Sequence, residues 1–181
     1  YLTFGATHSP HQAPKEFVDK YKGKFDAGWD VIRQQWYENQ LEMGIIPPGT
    51  ELAPHNPGVK PWDELSENEQ KFAVRLQEAF AGFLDHTDHH IGRLMAFLEE
   101  IQQSENTMVV LLSDNGASQE GGATGTMDEF KFFNGLPEDV DAVQERLDEV
   151  GGPHSHSNIP WGWAQGGNTP LKWYKQNTFG G

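Results

Sequence analysis

Met108-Val109-Val110-Leu111-Leu112-Ser113-Asp114-Asn115-Gly116 is the stretch whose reading decides the fold. Met108 to Leu112 is an unbroken apolar run containing two β-branched valines. It lacks helical amphipathicity and predicts a strand buried on both faces, as in a parallel sheet. The run ends on Asp114 and Asn115, followed at once by a glycine. In open α/β sheets ligands gather beyond the carboxyl ends of strands. A carboxylate beside an amide carbonyl at such a point suits a hard cation, Ca²⁺ or Mg²⁺. The same three residues also compose a tight turn.

Upstream, Ser66-Glu67-Asn68-Glu69 has the S-x-x-E form of a capping box. Phe72, Leu76, Ala79, Phe80 and Phe83 follow it at helical spacing, as do Ile91, Leu94, Met95, Leu98 and Ile101. The polar stretch Asp85–His90 divides the two sets, and the whole predicts a long helix over 67–103 that feeds the 108–113 strand. Tyr1–Ala6 has the aromatic and β-branched character of a second strand, and it runs into Thr7-His8-Ser9-Pro10. Strand, helical crossover and strand predict a parallel pair with right-handed connection. That topology would bring His8 and Asp114 to one edge of a sheet.

Shorter helices are expected from Pro14 to Tyr21, closed near Gly23, and from Asp30 to Met43. Residues 46–62 carry five prolines and two glycines and read as a surface loop. Residues 116–167 are also loop-rich, with an acidic helix near Glu138–Val150. The fold class expected is therefore α/β, with helices on both faces of a partial sheet.

Of 181 residues, 13 are Lys or Arg and 27 Asp or Glu, giving a net charge of −14. That charge argues against nucleic acid or an anionic membrane as partner. It leaves an anionic substrate open, because a bound cation can invert the sign of a pocket. The absence of cysteine excludes a disulfide framework, a thiolate metal site and a cysteine nucleophile within these residues. No apolar run approaches the ~20 residues of a membrane span. The chain opens on Tyr1, in mid-strand by this reading, and it ends abruptly on Gly181, so residues 1–181 are expected to be an internal segment of a longer catalytic domain.

Four features could carry chemistry. His8 could act as a general acid or an anion donor. On a helix, His86 and His90 share one face, and Asp85 and His89 another, yet no H-E-x-x-H arrangement or third ligand accompanies them. His154-Ser155-His156 reads as a solvated loop tract. Lys175 taken alone reads as a surface cation.

Three motifs in order, Phe4–Gly28 (FGATHSPHQAPKEFVDKYKGKFDAG), IGRLMAFLE…NTMVVLLSDNGA (Ile91–Ala117) and NTPLKWYKQNTFGG (Asn168–Gly181), together resemble the type I sulfatases of the alkaline-phosphatase-like superfamily. The resemblance implies a partial alkaline-phosphatase-like sheet, truncated at both ends, and hydrolysis of a small-molecule sulfate ester. It implies Asp114 and Asn115 as oxygen ligands of a divalent cation, usually Ca²⁺. It implies His8 as a sulfate contact that assists the leaving group, and Lys175 as the cation on a sulfate oxygen. The family's formylglycine arises from Cys or Ser in C/S-x-P-x-R, which is absent here. The expectation is a segment carrying part of a site and inactive alone. A phosphodiesterase or phosphonate hydrolase on the same metal site, or a non-catalytic binding module, are the competing readings.

Overall fold

The computed structural model describes all 181 residues. In chain order the helices are α1 (Lys15–Asp19), α2 (Gly28–Glu42), α3 (Glu67–Glu100), α4 (Phe130–Phe133), α5 (Val140–Val143) and α6 (Trp161–Gly167). Short 3₁₀ turns occupy Trp62–Glu64, Ser104–Asn106 and Gln144–Glu149.

The start of α3 is fixed by the capping box that the sequence announces. Ser66 Oγ accepts the Glu69 N–H at 3.2 Å, and the Glu69 carboxylate accepts the Ser66 N–H at 2.7 Å. Two of the helix's orphan donors are thereby satisfied. The polar residues 85–90 do not interrupt the helix, because their side chains leave the backbone ladder intact.

The first half of α3 lies in the core: Phe72, Leu76 and Ala79 are fully buried. α1 crosses it at Gly82, where a Cβ would lie 2.7 Å from Val18 Cα, so the close approach requires glycine. Trp163 of α6 packs edge-on against Phe25 and Trp29, with Trp62 beside it. Its indole N–H donates to the Ala73 carbonyl at 3.0 Å, giving the buried ring the partner it needs. The proline-rich segment 46–62 is more than a surface loop. Ile46, Asn56 and Val59 are buried in it, and Arg33 and Trp29 of α2 donate to its carbonyls at Ala53 (2.7 Å) and Lys60 (3.1 Å).

The sheet expected from sequence does not form among these residues. Met108–Leu112 and the opening residues run without a pairing partner, and the only ladder contacts are single bridges, Thr126 with Asn158 and Asp128 with His156. Met108, Leu111 and Leu112 are 89%, 75% and 75% exposed. An apolar strand buried on both faces needs neighbouring strands in register, and residues 1–181 supply none. The second half of α3 is likewise open, with Leu84, Leu94, Phe97 and Ile101 exposed. What these residues establish is a helical body from which an unpaired apolar segment, 108–112, is left exposed between α3 and α4.

Candidate functional site

The polar centre of the molecule is Asn158, which is fully buried. Its amide donates to Glu129 Oε1 at 2.7 Å and to Ser118 Oγ at 3.1 Å. The two bridges flanking it join 126–128 to 156–158. Gly121 passes so close to this segment that a Cβ there would lie 1.9 Å from the Ile159 carbonyl oxygen. Loops that would otherwise be independent are therefore pinned to one another around a satisfied polar group.

The His8 turn is fastened to the same segment. Ser9 Oγ donates to the Ser157 carbonyl at 2.9 Å, and the His11 N–H reaches that carbonyl at 3.3 Å. Gln12 Nε2 donates to the Ser155 carbonyl at 2.8 Å. His8 itself is exposed. Its Nδ1 lies 2.7 Å from the Ser9 carbonyl, which can only accept, so Nδ1 carries the proton and Nε2 is left free. Its neighbour His11 is buried against Phe80, and burial drives its pKa down to about 3, with the nearby His8 and His156 adding to the effect.

Lys175 is not a surface cation. Its Nζ lies 2.8 Å from Glu120 Oε2, and the two side chains are only 13% and 12% exposed. Its backbone N–H donates to the Ala117 carbonyl at 2.9 Å. Asn168 Oδ1 accepts the Ala117 N–H at 2.8 Å, so the terminal loop grips residues 116–120 at several points. Burial pushes the Glu120 carboxyl up, but Lys175, the Ser118 hydroxyl and the charge of His8 outweigh it and hold the group below its usual range. Lys175 therefore faces an ionised partner.

Asp114 and Asn115 lie at the exposed start of that loop. The Asn115 amide donates to the Gly116 carbonyl at 2.9 Å, leaving Oδ1 without a partner in the chain, and the Asp114 carboxylate makes no hydrogen bond. Ser113 Oγ donates to the Asn115 carbonyl at 2.8 Å and shapes the turn. Two free oxygens of this kind fit a hard cation as part of a shell of six to eight oxygens. No group of three or more His, Asp or Glu side chains gathers to hold a metal by itself.

The geometry brings the Lys175 loop onto the segment that begins at Asp114–Asn115, and it ties the turn after His8 to residues 155–157, next to the Asn158 that bonds Ser118; no hydrogen bond joins His8 to Asp114 or Asn115. It corrects the reading of His154-Ser155-His156 as a solvated tract in part: His154 is exposed, but Ser155 is buried and His156 lies 3.6 Å from Glu129. Sequence reasoning missed Ser118, Glu120, Glu129 and Asn158. Only the clustering of Asn, Ser and Glu around glycines hinted at them, and such residues ordinarily mark loops.

Comparison with known proteins follows the same lines. The family described as Sulfatase matches residues 1–179. The Klebsiella aerogenes arylsulfatase is 30% identical over 178 residues, covering 98% of this chain and 36% of that protein. An uncharacterized sulfatase of Schizosaccharomyces pombe is 41% identical over 118 residues, 65% of this chain and 21% of that protein. The chain therefore spans about a third or less of the curated relatives it matches.

Proposed function

The chain belongs to the sulfatase family, and on that premise we propose that it supplies part of the cation and sulfate site of a sulfuric ester hydrolase. The observation that carries this reading is the seating of Lys175 on the Ala117–Glu120 segment, directly after Asp114 and Asn115.

Asp114 and Asn115 would give two oxygens to Ca²⁺, or to Mg²⁺ in its place, with the remaining ligands from elsewhere in the full-length protein. A cation held there would lend concentrated positive charge to the sulfate oxygens, and a formylglycine elsewhere in the full-length protein would be the nucleophile. Lys175 stabilises charge that builds on a sulfate oxygen as the ester bond breaks. An ammonium has three N–H donors; one engages Glu120, and the others remain for substrate. Glu120, kept ionised, orients that ammonium. His8, with Nδ1 tied to the Ser9 carbonyl, presents Nε2, which when protonated donates to the leaving-group oxygen. Met108–Leu112 enters a sheet whose other strands come from outside these residues, which would bring its carboxyl end to the pocket.

The test is hydrolysis of a chromogenic aryl sulfate by the full-length protein. Asp114→Ala should abolish metal-dependent turnover; an unchanged rate would remove Asp114 from the site.

A further inference from the structure

Midway along α3, His86 and His90 stand one helical turn apart, and their Nε2 atoms approach to 3.0 Å. The rings meet at 79° with centroids 4.6 Å apart. A contact of this kind needs one donor and one acceptor. Arg93 Nη1 lies 2.9 Å from His90 Nδ1, and a guanidinium only donates. His90 Nδ1 therefore accepts, its proton sits on Nε2, and that N–H donates to the lone pair of His86 Nε2. His86 then carries its own proton on Nδ1. Both rings are neutral, the state in which imidazole ligates metals.

The shared hydrogen engages the two nitrogens that a chelated cation would use. A metal about 2.05 Å from each of two nitrogens 3.0 Å apart would subtend roughly 94°. That is the cis angle of a tetragonal or octahedral site; tetrahedral Zn²⁺ would need the nitrogens opened to about 3.3 Å. We propose that His86 and His90 form a two-nitrogen chelate for a divalent transition-metal ion, with Cu²⁺ preferred over Zn²⁺ by both geometry and intrinsic affinity. Water completes the shell, since no third His, Asp or Glu joins the pair.

The surroundings fix how binding must proceed. Phe17 of α1 covers His86 and His89 at centroid distances of 4.8 and 5.7 Å. Asp85 is occupied by Lys20 at 2.9 Å, and Lys20 also lies over the Phe17 ring. The carboxylate of Asp88 is the remaining charge on this turn. To free its Nε2 lone pair, His90 must move its proton to Nδ1, which ends the Arg93 contact. Arg93 thus opposes the metal twice, by holding the wrong tautomer and by its own charge. No hydrogen bond of His86 or His90 reaches residues 114–120 or Lys175, and the inference does not rest on the sulfatase reading.

The experiment is a CuCl₂ titration of the full-length protein in saturating Ca²⁺ at pH 7.5, followed by calorimetry and by the nitrogen hyperfine pattern in electron paramagnetic resonance. One equivalent should bind with a two-imidazole signature. His86→Ala and His90→Ala should each weaken it at least tenfold, with helicity by circular dichroism unchanged. Arg93→Gln should tighten it about tenfold, and Zn²⁺ should bind more weakly than Cu²⁺. Absence of such an equivalent, its survival in the His86→Ala/His90→Ala double variant, or weaker binding in Arg93→Gln would overturn the proposal.

Discussion

Replacing Lys175 with alanine separates its structural role from its chemical one. In the folded chain its ammonium lies 2.8 Å from Glu120, both side chains being nearly nine-tenths buried. Exposed ion pairs contribute about 0–1 kcal/mol, whereas removing one partner of a buried pair costs about 3–5 kcal/mol. The residual exposure places Lys175→Ala between these limits, at about 2–3 kcal/mol near neutral pH. The pH dependence has a definite sign. Without Lys175 the burial of Glu120 is no longer offset by the ammonium, so its folded pKa rises from the depressed value of the intact pair. The loss is smallest at low pH, where Glu120 is protonated with or without Lys175, and grows as pH rises through the window between those two folded values. Urea unfolding at pH 4.5 and 7.5 reads this difference. Adding Glu120→Gln removes the stranded charge and should recover most of the stability, while aryl sulfate turnover stays lost. Recovery of turnover along with stability would show that Lys175 only holds the fold, and would refute its place on the sulfate.

Two further outcomes follow from burial. His11 has its pKa lowered to about 3 from 6.5, so the folded state resists a proton that the unfolded state accepts. Its stability contribution is complete above about pH 6.5 and is lost as pH falls toward 3, about 2 kcal/mol of it by pH 5; His11→Gln should flatten that part of the urea-unfolding profile, and an identical slope would contradict the assignment. The exposed run Met108–Leu112 should make residues 1–181 alone bind a hydrophobic dye and self-associate. Val110→Lys with Leu112→Lys should relieve both in that segment yet destabilise the full-length protein, as sedimentation and thermal unfolding would report; no effect on the full-length protein would mean the run is not an interior strand.

What was legible in the sequence is what depends on local chemistry. The capping box at Ser66 and the periodicity from Phe72 onward gave α3 to within a turn at its far end. The motif resemblance gave the family. The expected sheet does not form, because the apolar character of Val109 and Leu111 calls for strand neighbours that these residues do not supply, and both side chains stay exposed. The site's supporting residues escaped for a related reason. Asn158 and Glu120 have the composition of solvated loops, and only tertiary contact turns them into a buried hub and an ion-pair partner. His86 and His90 were visible as a pair by spacing, whereas their tautomers follow only from the position of Arg93.

The most direct test of the central claim is a crystal structure of the full-length protein with Ca²⁺ and inorganic sulfate bound. The account predicts Asp114 and Asn115 side-chain oxygens at about 2.3–2.6 Å from the cation, with Lys175 Nζ and His8 Nε2 in hydrogen-bond contact with the same sulfate. A cation bound without Asp114, or a sulfate that neither Lys175 nor His8 touches, would contradict it.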